Sequence, residues 1–172
     1  MENRELKKNK IIKLALMYLG FPYSNPDSKE AAETKAASSV FDTALNSVLK
    51  DNDFTFNVDR VYPALTDRKM FGGKYEFVKP DGYICAMTPG VEDVGQRLQS
   101  KKSNFLLEYK KRMDVKDIPE EYEEYLALTL AEKIAPVVGK AKALERIMLL
   151  KQQAKSELLS LDSYVINMGD LV

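Results

Sequence analysis

The sequence predicts a mainly α fold: a four-helix bundle with a small antiparallel β insert between its helix pairs and an extended C-terminal tail. Three observations carry that prediction. Apolar residues recur at helical spacing over 5–19, 27–50, 118–135 and 138–161. Residues 53–110 exchange helix formers for alternating aromatic and β-branched residues, punctuated by Gly and Pro. Residues 162–172 lose the helical period but stay apolar. On this reading 1–161 form one domain and 162–172 a docking tail.

The first helix, 5–19, carries a stripe of Ile12, Ala15, Leu16 and Leu19, with Gly20 placed to end it and Pro22 to confirm the stop. Asp27 and Glu30 have capping-box spacing at the start of the second helix. That helix is Ala-rich at first (Ala31, Ala32, Ala36, Ala37), then presents Phe41, Ala44, Leu45, Val48 and Leu49 on one face. Past Asp51-Asn52-Asp53, the alternation of Phe54-Thr55-Phe56-Asn57 predicts a strand. Further strands are expected around Tyr75–Phe77, Tyr83–Met87, Gln96–Gln99 and Asn104–Tyr109, separated by turns at Gly72-Gly73, Pro80-Asp81-Gly82 and Pro89-Gly90. Lys101-Lys102 reads as a hairpin tip, and Cys85 as a small core residue.

Helix returns after Asp117, with Pro119 in its first turn and Glu120, Glu121, Glu123 and Glu124 where the helix dipole favours anions. Tyr122, Leu126, Leu130 and Ile134 repeat every four residues, and Ala127 and Ala131 lie beside them. Pro136 ends or kinks this helix. The last helix is expected from Val138, with a buried face of Val138, Ala141, Leu144, Ile147, Ala154, Leu158 and Leu161. In the tail, Tyr164, Val165, Ile166, Met168 and Leu171 are apolar at a terminus and are expected to dock on the chain's own core or on a partner.

Composition narrows the chemistry. The 172 residues suffice for one domain with a core. Basic and acidic residues balance at 26 each, so bulk charge does not drive the chain toward nucleic acid or membrane. With no histidine and one cysteine, the usual zinc sites and histidine general bases are excluded, as is an internal disulfide. No phosphate-binding glycine loop or nucleophile elbow is present, and no cofactor or catalytic residue is assigned. The apolar stretch ending at Leu19 is too short and too mixed for a signal peptide or a membrane span, so a soluble protein is expected.

The charge is unevenly placed. Residues 97–116 hold seven cations (Arg97, Lys101, Lys102, Lys110, Lys111, Arg112, Lys116) against Glu108 and Asp114. Residues 117–135 hold six anions (Asp117, Glu120, Glu121, Glu123, Glu124, Glu132) against Lys133. The blocks can pair within one subunit, or head-to-tail between identical subunits as a heterologous interface requires. Lys101, Lys102, Lys110, Lys111, Arg112, Glu120, Glu121 and Glu124 are therefore candidates for a subunit interface or a lumen.

Taken in order, several segments resemble the head-to-tail adaptors of tailed bacteriophages, of the tail tubular protein A type. They are Ala15-Leu16 with Leu19-Gly20; the helix through Ala36-Ala37, Phe41-Asp42 and Leu45 running into Phe54-Thr55-Phe56-Asn57; Tyr75 through Tyr83 with its Pro-Asp turn; and Ile118-Pro119-Glu120-Glu121-Tyr122 followed by repeated Leu-Ala pairs. The resemblance spans about residues 10–160. Phe54 stands where the family has Trp, and Arg68–Gly73 departs from its pattern. The resemblance implies a non-enzymatic virion protein, made in the host cytoplasm, that forms a ring, twelvefold in that family, at the head–tail junction. Its partners would be itself, the portal protein on the C-terminal tail, the tail nozzle protein, and DNA passing through the lumen without sequence recognition. Two other readings stand beside it: a cellular helical interaction module, and a carboxylate-based peptidoglycan hydrolase, which needs two carboxylates on one cleft with one in an apolar setting.

Overall fold

The computed structural model describes the backbone of residues 2–21, 32–66 and 72–169, and side chains over 4–21, 32–66 and 72–161. The chain divides into two compact units, Met1–Phe54 with Asp114–Val172, and Thr55–Met113.

Among the described residues, the first unit holds four α-helices: α1 (Glu2–Tyr18), α2 (Ala32–Leu49), α3 (Glu123–Ile134) and α4 (Leu144–Gly169). α1 buries Ile11, Ile12, Ala15 and Leu19, one position off the expected stripe because Leu16 stays half-exposed. Its end is a Schellman motif. Gly20, at φ +76°, donates to Met17 at 2.9 Å, and Phe21 donates to Leu16 at 3.1 Å. α2 buries Ala37 and the whole expected face from Phe41 to Leu49. Asp27 and Glu30, its expected capping pair, lie outside the described residues.

α3 is the centre of this unit. It packs against α1, α2 and α4. Tyr125 through Ala131 are all buried, as are Tyr122 and Ile134. A helix apolar on every side is a core helix. The approach to it differs from expectation. Asp114, not Asp117, is the capping carboxylate, accepting the Lys116 N–H at 3.2 Å, and a 3-10 turn over Glu120–Tyr122 precedes α3. α3 ends at Ile134, just before Pro136, as expected, and a turn carries the chain to Gly139, whose neighbour Lys140 donates back to Ala135 at 2.7 Å.

α4 begins at Leu144, after a 3-10 turn over Ala141–Ala143, rather than at Val138. Of its expected face, Ile147 and Leu158 are buried, Leu144 and Ala154 are half-buried, and Leu161 is exposed. The helix runs on to Gly169, so the tail expected to be extended over 162–172 is helical through most of its length. At 1.5 Å per residue α4 is about 39 Å long against about 18 Å for α3, so it outreaches the helix it packs on.

The second unit is a pair of three-stranded antiparallel sheets. One has the order β1 (Val58–Val61), β6 (Leu107–Lys111), β3 (Tyr83–Ala86); the other has β2 (Tyr75–Val78), β5 (Arg97–Ser100), β4 (Val91–Val94). Phe77 and Leu98, directly paired in one sheet, share a core with Phe105 and with Leu107 and Tyr109 of the other. Phe77 and Phe105 meet edge-on at 5.0 Å.

This is an α+β fold, not the mainly α four-helix bundle expected from the sequence. Two physical causes account for the difference. α3 is a central helix ringed by three others, whereas a bundle needs four equivalent stripes. The sheets also contain a strand that reads as solvated charge: β4 is Val91-Glu92-Asp93-Val94. It pairs with β5 through a two-residue turn at Gly95-Gln96, with Gly95 at φ +57°. β5 therefore finds its hairpin partner before Lys101-Lys102, and those lysines link two sheets rather than tip a hairpin. Phe54–Asn57 is not a strand. Phe54, fully buried, belongs to the helical unit, where its ring sits edge-on to Tyr122 at 5.1 Å and Tyr125 at 5.0 Å.

Candidate functional site

An open groove of about 800 Å³ runs along α4 in the helical unit. Tyr125 and Glu132 of α3, together with Lys142, Arg146, Met148 and Leu149 at the start of α4, are among its walls. The walls follow from the fold. α4 runs antiparallel to α3, with Lys151 reaching Glu132 at 2.6 Å and Lys155 reaching back to Asp51 and Asp53 at 2.8 and 2.7 Å. That leaves Met148 and Leu149 more than half exposed beside cations.

One end of the groove is closed by a polar knot. Asp51 accepts from Lys155, from the Tyr125 hydroxyl at 3.3 Å and from the Asp53 N–H at 3.1 Å. Burial would raise the Asp51 carboxyl, but these donors outweigh it and hold it below the ordinary carboxylate value. Burial and the adjoining Asp51 charge push the Tyr125 phenol up to about 12, so it stays a donor. Burial lowers Lys155, and its two carboxylate partners more than compensate, leaving it raised. Its ammonium also lies 5.6 Å from the centre of the Phe54 ring.

Two residues before Tyr125, at the start of α3, Glu123 is a buried carboxylate held by Lys10 at 2.7 Å and Lys7 at 3.2 Å. Arg4 pairs with Asp114 at 3.1 Å. Glu120 and Glu121 are exposed, and Glu124 is exposed while accepting from the Tyr18 hydroxyl. Burial, then Glu124, raises that phenol to about 12.

The remaining sequence candidates separate. Lys101, Lys102 and Arg112 are exposed. Lys111 pairs with Asp59 at 2.9 Å and also donates its backbone N–H to Asn57 at 2.8 Å. Lys110 is fully buried, its Nζ 3.4 Å from Asn57 Oδ1, and so belongs to the interior of the β unit rather than to a surface patch. Each charge block finds partners inside its own unit: Lys111 on Asp59, Glu123 on Lys7 and Lys10, Glu132 on Lys151. Tyr164, Val165, Ile166 and Met168 fall on the last turns of α4, where the described structure is backbone alone, and Leu171 lies outside the described residues.

Sequence reasoning passed over the groove because its walls come from chain segments far apart, joined by ion pairs. Lys151 and Lys155 carry the signal that could have found it: they sit one turn apart on the same helix face, opposite acidic residues. Among the described residues, no cluster of three or more His, Cys, Asp or Glu could hold a metal ion, and no helix is long and apolar enough to cross a membrane. No protein-family model matches the chain, and no curated protein matches it.

Proposed function

We propose that this chain is a structural head-to-tail adaptor of a tailed bacteriophage, forming a ring that joins portal to tail nozzle and lets DNA pass during ejection. The observation that carries the reading is α4. A 26-residue helix that buries only Ile147 and Leu158 within residues 144–161 gains little from its own core. It also bears an apolar run, Tyr164–Met168, in its final turns. Such an element earns its length by docking elsewhere, and a helix end entering a hydrophobic groove is a common way to do it. On this reading the portal receives a helix terminus rather than an added strand. The order of helical and β segments resembles the adaptor family, and the ion-paired Asp51 and Glu123 act as structural ties. The exposed Lys101 and Lys102 would meet passing DNA through phosphate charge alone.

Light scattering after size exclusion tests this, on the full chain and on a chain lacking Asp162–Val172, each with and without a portal ring. The full chain is expected to join the ring, and the shortened chain to lose that ability. A full chain that ignores portals, behaving as a monomer or dimer with or without its last residues, would favour an interaction module and sink the adaptor reading.

A further inference from the structure

We propose that the α4 groove of one copy receives the acidic corner at the start of α3 of a second copy, making a head-to-tail contact. This deepens the adaptor reading and rests on it for the reason copies are arrayed, but the contact itself is testable without a portal.

The two surfaces match in chemistry. The groove offers exposed Met148 and Leu149 beside exposed Lys142 and Arg146, which outnumber the one exposed acid of its wall, Glu145. The corner offers exposed Asp117, Glu120 and Glu121. Next to it Leu6, 64 % exposed, sits on the turn of α1 bracketed by Arg4, which pairs with Asp114, and Lys7, which donates to the Ile118 carbonyl. An apolar centre with charge around it is the usual composition of a protein interface, and opposite charges set its register.

Position makes the contact directional. The corner lies at the start of α3 and the cationic groove wall follows its end, about 18 Å away along the helix. The local ties keep the two ends distinct. Lys7 and Lys10 hold Glu123 at the corner, while Lys140 lies over the Phe21 ring and Arg146 donates to the Tyr18 carbonyl at the groove end. When each copy gives its groove to one neighbour and its corner to another, the contact is heterologous rather than a reciprocal twofold pairing. Such contacts propagate, and close into a ring when the rotation per subunit allows.

Charge reversal tests the contact in the full chain. The variants are K142E/R146E in the groove and E120K/E121K at the corner, with M148R as a groove variant that leaves the reversed charges alone. Like charges facing one another cost several kcal/mol, so each double variant is expected to lose self-association by about 100-fold or more in sedimentation velocity. An equimolar mixture of the two is expected to recover it, because every groove in an alternating array then faces a corner of opposite sign. M148R is expected to weaken self-association without being rescued by E120K/E121K. Circular dichroism checks that each variant is folded, and a variant that fails this check is replaced by K142A/R146A or E120Q/E121Q, with a smaller loss expected. The proposal is overturned by a wild-type chain that never self-associates, by variants that associate like wild type, or by a mixture no better than its components. If the variants associate like wild type while wild type loads onto portal rings, this contact fails and the adaptor reading stands. If wild type associates through this contact but ignores portals, the contact stands and the adaptor reading fails.

Discussion

Phe54→Ala should unfold much of the helical unit's margin of stability. Phe54 is fully buried, wedged edge-on between Tyr122 and Tyr125 at the centre of the helical core. Truncating a buried Phe costs about 3–5 kcal/mol, combining lost transfer energy with the cavity left behind. Edge-on ring pairs each add about 0.5–1.5 kcal/mol beyond area burial, and two are lost together. A value of about 4 kcal/mol is therefore expected, against a total of about 5–15 kcal/mol for a typical domain. With a slope of about 2 kcal/mol per molar urea, the midpoint should fall by about 2 M. The assay is urea unfolding followed by helical circular dichroism, which reports the first unit because the described residues of the second contain no helix. Lys50→Ala, at an exposed position just before Asp51, is the control and should change little. A Phe54→Ala loss below about 1 kcal/mol would refute the placement. So would an unchanged helical transition, the result expected if Phe54 were a strand residue of the β insert.

Two more outcomes follow from local geometry. Lys155→Met should cost about 1–2 kcal/mol near neutral pH, between exposed pairs and fully buried ones, since Lys155 and Asp51 are each largely covered. Asp51 is lowered, so its share of stability is present above the ordinary carboxylate value and lost as pH falls through its own lower one; Lys155 is raised, so its share is present below the ordinary lysine value and lost as pH rises through its own higher one. The wild-type advantage should therefore be flat from about pH 5 to pH 9 and shrink on both sides; an advantage that grows toward acid would contradict the pairing. Gly20→Ala should cost about 1 kcal/mol by thermal unfolding, because Gly20 holds φ +76° in the Schellman motif while a Cβ there meets nothing within 4 Å; equal or greater stability would mean the left-handed cap is not needed.

Local chemistry was legible where one face of one element decides the outcome. The α2 stripe from Phe41 to Leu49, the Gly20 stop and the strands at Tyr75 and Tyr83 could all be read from spacing and turn residues. Charge misled twice, for one reason. Glu92 and Asp93 look like loop acids, yet Lys74 and Lys79 lie within salt-bridge reach of them, so a short solvent-facing strand carries paired charge on its outer edge. Lys110 looks like part of a surface patch, yet it sits on β6, the middle strand of its sheet, and is fully buried there. Periodicity registers which residues alternate, but not whether a neighbouring strand or helix covers both faces.

The same limit hid the groove and the long reach of α4. Phe54 alternates with Phe56 as a strand residue would, and only the tertiary pairing with Tyr122 and Tyr125 assigns it to the helical core. That assignment sets the direction of everything after it. Phe54 caps the α3 core, Asp51 and Asp53 beside it hold Lys155, and Lys155 fixes where α4 crosses α3. From that fixed point the helix continues about 21 Å to Gly169. Loosening the knot should therefore do more than cost stability. Lys155→Met should leave α4 helical yet let its course over α3 vary, blurring the groove at one end and the proposed docking terminus at the other. A Lys155→Met chain that stays folded but loses both proposed contacts, self-association and portal binding, would locate the coupling in this knot; one that keeps both would show that α4 is aimed by its other ties, such as Ile147, Leu158 and the Lys151–Glu132 pair.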